Sequence, residues 1–188
     1  MTLHADATSV LRRWRAPDLG QETLRHLYLA HLGAHPDALS RRCHPDHLTA
    51  SSIIVDPAGP RVLLTLHRRI RRWLQTGGHC EDDDTTMAVA ALREATEESG
   101  ITGLEVGAGP LRLSYHEVPC GPARPAHHLD VQYLVMAPAG AVERCSEESA
   151  ALRWFPAEAL PPDADGAVRS LVTAACSEIR RDPTLTRR

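Results

Sequence analysis

The chain has 188 residues, of which 43% are hydrophobic and 24% charged, and its formal net charge is -3. This is the composition of a globular chain, which excludes a disordered, collagen-like or coiled-coil protein. The small acidic balance lacks the basic field that binding to bulk nucleic acid normally requires. The length suits one domain with an extension.

The first residues lack a basic region followed by an apolar one, and no apolar run approaches the ~18 residues that a membrane helix needs, so we expect neither a leader nor a membrane anchor. The five cysteines include no CxxC pair, so we expect free thiols, which suit a reducing compartment. These features predict a cytoplasmic protein with no membrane partner.

The first segment predicts an N-terminal helical extension, residues 1–45. Apolar residues recur at helical spacing on both sides of Pro17, and the second run ends near residues 33–36. Two short helices are therefore expected. From Thr49 the pattern changes to that of strands, so we place the start of the main domain at residue 46.

The main domain, residues 46–182, is predicted to alternate strands and helices. Residues 51–55 and 61–67 are typical of a hairpin, and residues 73–75 lead into a glycine loop at Gly77 and Gly78. A helix from about Thr86 to Ser99 ends at Gly100, a favourable left-handed cap. The remaining predicted elements are strands at 111–118, 129–136 and 152–155, loops at 119–125 and 138–145, an amphipathic helix over 168–179, and a tail at 183–188.

Three glutamates share one face of the predicted helix. Glu94, Glu97 and Glu98 are three or four residues apart, a spacing that brings helical side chains together. Three adjacent carboxylates repel one another unless a cation lies between them. Oxygen ligands favour a hard cation, so the pattern predicts a site for Mg²⁺, with Mn²⁺ as an alternative.

Arg93 precedes this cluster and can reach Glu97 one helical turn later. Its planar guanidinium is permanently charged, so it can orient a carboxylate without competing for the metal. We therefore predict that Arg93 organises the acidic cluster.

Gly77-Gly78, Asp84, Arg93-Glu94, Glu97-Glu98 and Gly100-Ile101 together resemble the Nudix box, G-x5-E-x7-R-E-U-x-E-E-x-G-U, where U is a bulky apolar residue. The stretch from Gly78 to Arg93 is one residue longer than that pattern. Either Asp84 or Thr85 therefore occupies the place of the first glutamate, and Ala95 replaces a larger apolar residue.

The resemblance implies an α/β fold, a Nudix α/β/α sandwich with a mixed curved sheet. It also implies a hydrolase that cleaves a pyrophosphate linkage in a nucleoside diphosphate derivative, such as a nucleotide, a dinucleotide or a nucleotide sugar. On this basis Glu94, Glu97 and Glu98 are the expected metal ligands, and Arg93 belongs with them to the catalytic group.

The general base has two candidates. Glu97 is one, and Glu148, which is followed by a predicted strand, is the other because some relatives supply the base from a late loop. We also expect Gly77, Gly78 and His128 to help bind the substrate or cofactor. His128 could donate a hydrogen bond to a phosphate, although it is equally consistent with a polar residue at a strand end.

Three other interpretations stay open at this point. The scattered cysteines and histidines, His47 and His79 among them, are possible zinc ligands, but their spacing matches no paired motif. A Nudix fold could also sense a nucleotide without hydrolysing it. An isoprenoid diphosphate isomerase would need a cysteine and a glutamate at the site, for which Cys80 and Glu148 are the candidates.

The sequence leaves the substrate and the oligomeric state open, with a homodimer through the N-terminal helices as one expectation.

Overall fold

The computed structural model describes residues 1–118, 122, 124–145 and 149–186. Its helices are α1 (Leu3–Arg13), α2 (Leu19–Ala34), α3 (Met87–Ser99) and α4 (Gly166–Arg181), followed by a short 3₁₀ helix (Pro183–Thr186). Its strands are β1 (His47–Val55), β2 (Arg61–His67), β3 (Trp73–Leu74), β4 (Thr76–His79), β5 (Glu105–Val106), β6 (Arg112–Val118), β7 (Ala126–Met136) and β8 (Ser149–Pro156).

The strands form one mixed sheet around β1. This strand pairs in parallel with β7 over its whole length, and antiparallel with β2 at one end and β4 at the other. Strands β3 and β8 extend the β2 side, while β5 and β6 both pair with β7. All nine residues of β1 are buried, as expected for a central strand that is covered on both faces.

The two faces of the sheet are covered by different helices. Ile53 of β1 faces α4, whose buried side includes Leu171 and Val172. Leu48 and Ala50 of the same strand pack instead against α3, at Ala90 and Ala91. Successive side chains of a strand point to opposite faces, so this alternation builds the two cores of a three-layer sandwich. The expected α/β fold is confirmed.

Helix α3 begins and ends as its sequence predicts. The hydroxyl of Thr86 accepts a hydrogen bond from the amide of Val89 at 3.1 Å, which satisfies one free donor of the first turn. Gly100 then closes the helix with a left-handed backbone at φ 64°. The predicted hairpin, the later strands and the closing helix are likewise present.

The prediction of a glycine loop was wrong, because Gly77 and Gly78 lie inside strand β4. Their backbone pairs with Ser51 and Ala50 of β1. The loop that precedes α3 comes after this strand, at residues 80–86. Glycine weakens a strand unless another chain segment approaches it closely, and that condition holds here.

The predicted helical extension is present, and it packs into the main core. Leu11 of α1 and Tyr28 of α2 are 1% and 0% exposed, and they belong to the same apolar cluster as Met87 of α3. The Tyr28 hydroxyl donates to the main-chain carbonyls of Ser114 and Asp130 at 2.9 and 3.2 Å. The two helices therefore cover one end of the sheet.

Two polar side chains fasten these helices to the rest of the molecule. Asp6 of α1 is buried, and its carboxylate accepts a hydrogen bond from the amide of Met87, the first residue of α3, at 2.9 Å. Gln21 of α2 donates to the carbonyl of Leu113 and accepts from its amide, at 3.0 and 2.7 Å. No described helix is long and apolar enough to cross a bilayer.

Candidate active site

Arg93 lies at the centre of a charged network on α3. Its Nη1 atom donates to Glu94 and to Glu97, each at 3.0 Å. Its Nη2 atom donates to the main-chain carbonyl of His79 at 2.9 Å, which joins the helix to the end of β4. The contact with Glu97 that the helical spacing predicts is therefore present, and the same guanidinium also holds Glu94.

Asp84 holds the other side of the Arg93 guanidinium. Its two carboxylate oxygens accept from Nε and Nη2 at 3.2 and 3.1 Å, and one of them also accepts from the amide of Glu81 at 2.8 Å. The Asp84 side chain is only 3% exposed. Hydrogen bonding to Asp84 is the main cause that raises the pKa of Arg93, so the guanidinium stays charged. Asp84 thus holds the Arg93 side chain in place.

The three glutamates differ in their exposure to solvent. The Glu94 side chain is 14% exposed and that of Glu97 is 60% exposed. Glu98 is half-buried, and its Oε2 atom is out of contact with solvent. The carboxylates therefore run from the interior to the surface along one helix face, and a ligand that approaches from solvent meets Glu97 first.

Gly78 faces the Glu94 carboxylate. A Cβ atom on Gly78 would lie 2.7 Å from the carboxylate oxygens and carbon, closer than such atoms normally come. Gly77 instead faces β1, where a Cβ atom would lie 2.2 Å from Cβ of Ser51, and its backbone has φ +151°. The two glycines were predicted to bind substrate or cofactor. Their visible effect is to let β4 lie close to β1 and to leave room for Glu94.

The chemistry of these donors fits a hard divalent cation, as three carboxylates on one rigid helix supply only oxygen. The space that Gly78 leaves beside Glu94 is consistent with that fit. In the described chain, two groups of side chains have all their ligand atoms within 4.8 Å of one another, and neither is the glutamate trio. Arg93 lies between Glu94 and Glu97 in this arrangement, so the carboxylates do not converge on one point.

Glu148, the alternative base, lies outside the described residues. Cys80, its suggested counterpart in an isomerase, is described, and burial raises the pKa of its thiol to about 12. Its sulfur lies 4.0 Å from that of Met87. A thiol with so high a pKa is a poor acid or nucleophile near neutral pH, so the structure gives the isomerase interpretation no support.

His128, the predicted phosphate contact, meets two other histidines on the sheet. It lies on β7 directly opposite His47 of β1, and both rings contact that of His79 on β4. Burial, followed by the neighbouring histidines, lowers the pKa of His79 to about 4 and that of His128 to about 3. These imidazoles are therefore neutral near pH 7.

Sequence reasoning missed this cluster because its members come from three strands that are distant along the chain. His47 and His79 were considered as scattered metal ligands, but without a local pair to join them and without His128. Asp130, two residues after His128, accepts from the hydroxyls of Thr49 and Ser51 at 3.0 and 2.6 Å. The alternating polar residues of β1 and β7 are the one pattern that could have indicated a polar patch on this face.

Comparison with known proteins identifies the family. A family model described as NUDIX domain matches residues 45–175, more than half of the chain. A comparison with curated proteins gives no match.

The fold also resembles solved structures. One is a NUDIX-family hydrolase from Clostridium perfringens, with a TM-score of 0.60 and 22% identity, covering 71% of this chain and 97% of that chain. A second is an Ap4A hydrolase from C. elegans in a binary complex, with a TM-score of 0.59 and 18% identity, covering 71% and 98%. A third is the E. coli dihydroneopterin triphosphate pyrophosphohydrolase, with a TM-score of 0.55 and 19% identity, covering 66% and 91%. Since its sequence matches the family model from β1 into α4 and its fold agrees, the chain belongs to the Nudix family of pyrophosphate hydrolases.

Proposed function

We propose that this protein hydrolyses a pyrophosphate linkage in a small nucleoside diphosphate derivative and that Glu94, Glu97 and Glu98 hold the Mg²⁺ it requires. The observation that carries the proposal is the glutamate face of α3, where Arg93 holds Glu94 and Glu97 and Gly78 leaves room for the Glu94 carboxylate. When bound, the divalent ion supplies Lewis-acid stabilisation of the charge that grows on the phosphate oxygens.

The residues around the glutamates have distinct parts in this proposal. Arg93 orients Glu94 and Glu97, and Asp84 keeps Arg93 in place, so neither residue needs to touch the substrate. Glu97 is the most exposed carboxylate of the three, which makes it the described candidate for taking the proton from the attacking water. Glu148 stays the alternative base.

The family and the solved structures with its fold support the proposed substrate class. The Ap4A hydrolase and the dihydroneopterin triphosphate pyrophosphohydrolase share the fold, so Ap4A and dihydroneopterin triphosphate belong in a substrate panel with nucleotide sugars and nucleoside triphosphates.

The four described cysteines are free thiols, which fits the proposed action in the reducing cytoplasm. Association of two copies through α1 and α2 stays a prediction that sedimentation velocity can test.

The test is phosphate release from this panel, through a coupled phosphatase or pyrophosphatase, with and without Mg²⁺. We expect magnesium-dependent turnover that Glu98→Gln lowers roughly 100-fold or more, since several kcal/mol of charge stabilisation would be lost. The matched control is Glu178→Gln on α4, which removes a surface glutamate that pairs with Arg181 and should keep parental turnover.

The outcomes separate an enzyme from a sensor. Turnover that Glu98→Gln leaves unchanged would contradict the assigned metal ligands. A compound that raises the melting temperature without being hydrolysed, in the presence of Mg²⁺ or Mn²⁺, would instead favour a nucleotide-binding protein that has kept the Nudix fold.

A further inference from the structure

The three histidines on the sheet form a compact, nearly symmetrical cluster. The ring centroids of His47 and His79 are 5.1 Å apart, those of His47 and His128 are 4.9 Å apart, and those of His79 and His128 are 5.1 Å apart. One nitrogen from each ring lies within 4.8 Å of the nitrogens of the other two. The three rings therefore bring three potential ligand atoms close together.

The ring spacing matches that of imidazoles bound to a single ion. With a Zn–N bond of about 2.0–2.1 Å and tetrahedral angles, ring centres lie roughly 5.2 Å apart and the ligand nitrogens roughly 3.4 Å apart. The observed centroid distances of 4.9 to 5.1 Å agree with the first figure. The ligand nitrogens lie within 4.8 Å of one another, so binding one ion would require them to close to roughly 3.4 Å.

The hydrogen bonding of His47 leaves its Nε2 atom available as a ligand. Its Nδ1 atom lies 3.2 Å from the main-chain carbonyl of Cys43, an acceptor that requires the proton on Nδ1 and leaves a lone pair on Nε2. Nε2 of His47 and Nε2 of His128 are both buried without a hydrogen-bond partner, and His47 is 1% exposed. A carbonyl that orients the far side of a histidine is the usual companion of a metal ligand.

From this geometry we infer that His47, His79 and His128 bind one divalent transition-metal ion of the zinc type. Imidazole nitrogen suits such ions, whereas Mg²⁺ prefers oxygen. The site is separate from the glutamates, because the side chains of adjacent strand residues point to opposite faces and Gly78 already faces Glu94. A three-histidine set leaves one tetrahedral position for a water or a substrate atom.

The test is zinc binding by the full chain, purified without a histidine tag and stripped with a chelator. Titration of Zn²⁺ against a chromophoric chelator should give one tightly bound equivalent. Co²⁺ in its place should give the intense visible absorption of a tetrahedral nitrogen site. His79→Gln and His128→Gln should each weaken zinc binding by more than about 100-fold, because even the loss of a residue that only supports a ligand costs about 10–100-fold.

Two control variants distinguish this site from the other two candidate metal sites, the group around His35 and the glutamates of α3. His35→Gln disrupts the other described group of close ligand atoms, formed by His35, Asp37 and Cys43, and should leave zinc binding intact. Glu98→Gln should also leave zinc binding intact. The test of the zinc site is therefore independent of the proposed hydrolase activity. Circular dichroism and melting temperatures establish that each variant is folded.

Three results would overturn the inference. The first is a parent chain that binds no zinc above the level of a denatured sample. The second is zinc binding that His35→Gln abolishes and His79→Gln preserves. The third is a Co²⁺ spectrum with only the weak bands of octahedral oxygen coordination.

Discussion

Gly77 and Gly78 are adjacent in β4, yet a side chain at each would meet a different kind of neighbour. At Gly77 the obstacles are backbone and Cβ atoms of β1, which cannot move without separating the strands. At Gly78 the obstacle is the end of the Glu94 side chain, which can rotate away. The same chemical change should therefore damage the fold at one position and the site at the other.

We predict that Gly78→Ala keeps the melting temperature within a few degrees of the parent but lowers magnesium-dependent turnover at least tenfold, because Glu94 is displaced. Gly77→Ala should instead lower the free energy of unfolding by more than about 2 kcal/mol, through overpacking and a backbone that L residues rarely adopt. Thermal unfolding and turnover measured on the same two variants check both statements. Equal loss of stability in the two variants would contradict this division.

For single residues, the sequence predicts contacts between side chains that are close along the chain, but it does not reveal contacts between residues that are far apart. The contact of Arg93 with Glu97 follows from helical spacing alone. The sequence left the role of Asp84 open, because one extra residue in the loop allows either Asp84 or Thr85 to align with the first glutamate of the Nudix box. The structure shows Asp84 bound to Arg93. His47 and His128 meet only because β1 and β7 pair in parallel, which no local spacing reveals.

At the scale of single elements, the N-terminus of α3 is held from two sides. Thr86 caps it from within the same segment, and Asp6 caps it from α1. A carboxylate at this end also interacts favourably with the partial positive charge of the helix N-terminus. The helix that carries the glutamates therefore depends on a residue 81 positions earlier in the chain.

We predict that Asp6→Ala lowers the free energy of unfolding by about 1–3 kcal/mol, because it leaves the buried amide of Met87 without an acceptor. Asp6→Asn keeps an acceptor oxygen and loses only the charge, which should cost less than about 1 kcal/mol. Urea unfolding of both variants measures the difference. A midpoint for Asp6→Ala equal to that of the parent would show that Thr86 alone is sufficient.

The bounds of α3 could be predicted because Thr86 and Gly100 act on their own segment. The pairing of Gly77 and Gly78 with β1 could not, because it depends on a strand that lies more than 20 residues earlier. Propensity alone favoured a loop for two glycines, and tertiary packing reversed that preference.

At the scale of the whole molecule, the N-terminal helices and the family-matched region share one core. The family model begins at residue 45, after both helices. Tyr28 and Leu32 are nevertheless buried among residues of β1, β7 and α3. The boundary between residues 45 and 46 stays a prediction from the sequence, and the packing predicts that the parts on its two sides do not fold separately.

We predict that a chain of residues 46–188 is insoluble, or unfolds without a cooperative transition, because removal of α1 and α2 exposes one side of the core. Size-exclusion chromatography and thermal unfolding provide the measurement. Co-expression of residues 1–45 as a separate chain should restore solubility, which controls for the shortened length. A truncated chain that stays soluble and melts at the parental temperature would contradict the prediction.

The paired hydrogen bonds of Gln21 have a consequence for self-association. Strand β6 pairs with β7 on one side only among the described strands. On its other side Gln21 takes both the amide and the carbonyl of Leu113, as a neighbouring strand would. Open strand edges recruit strands from other molecules. The Gln21 side chain thus prevents another strand from pairing with β6 at Leu113. Replacement of Gln21 by leucine should favour the addition of strands from other molecules at that position.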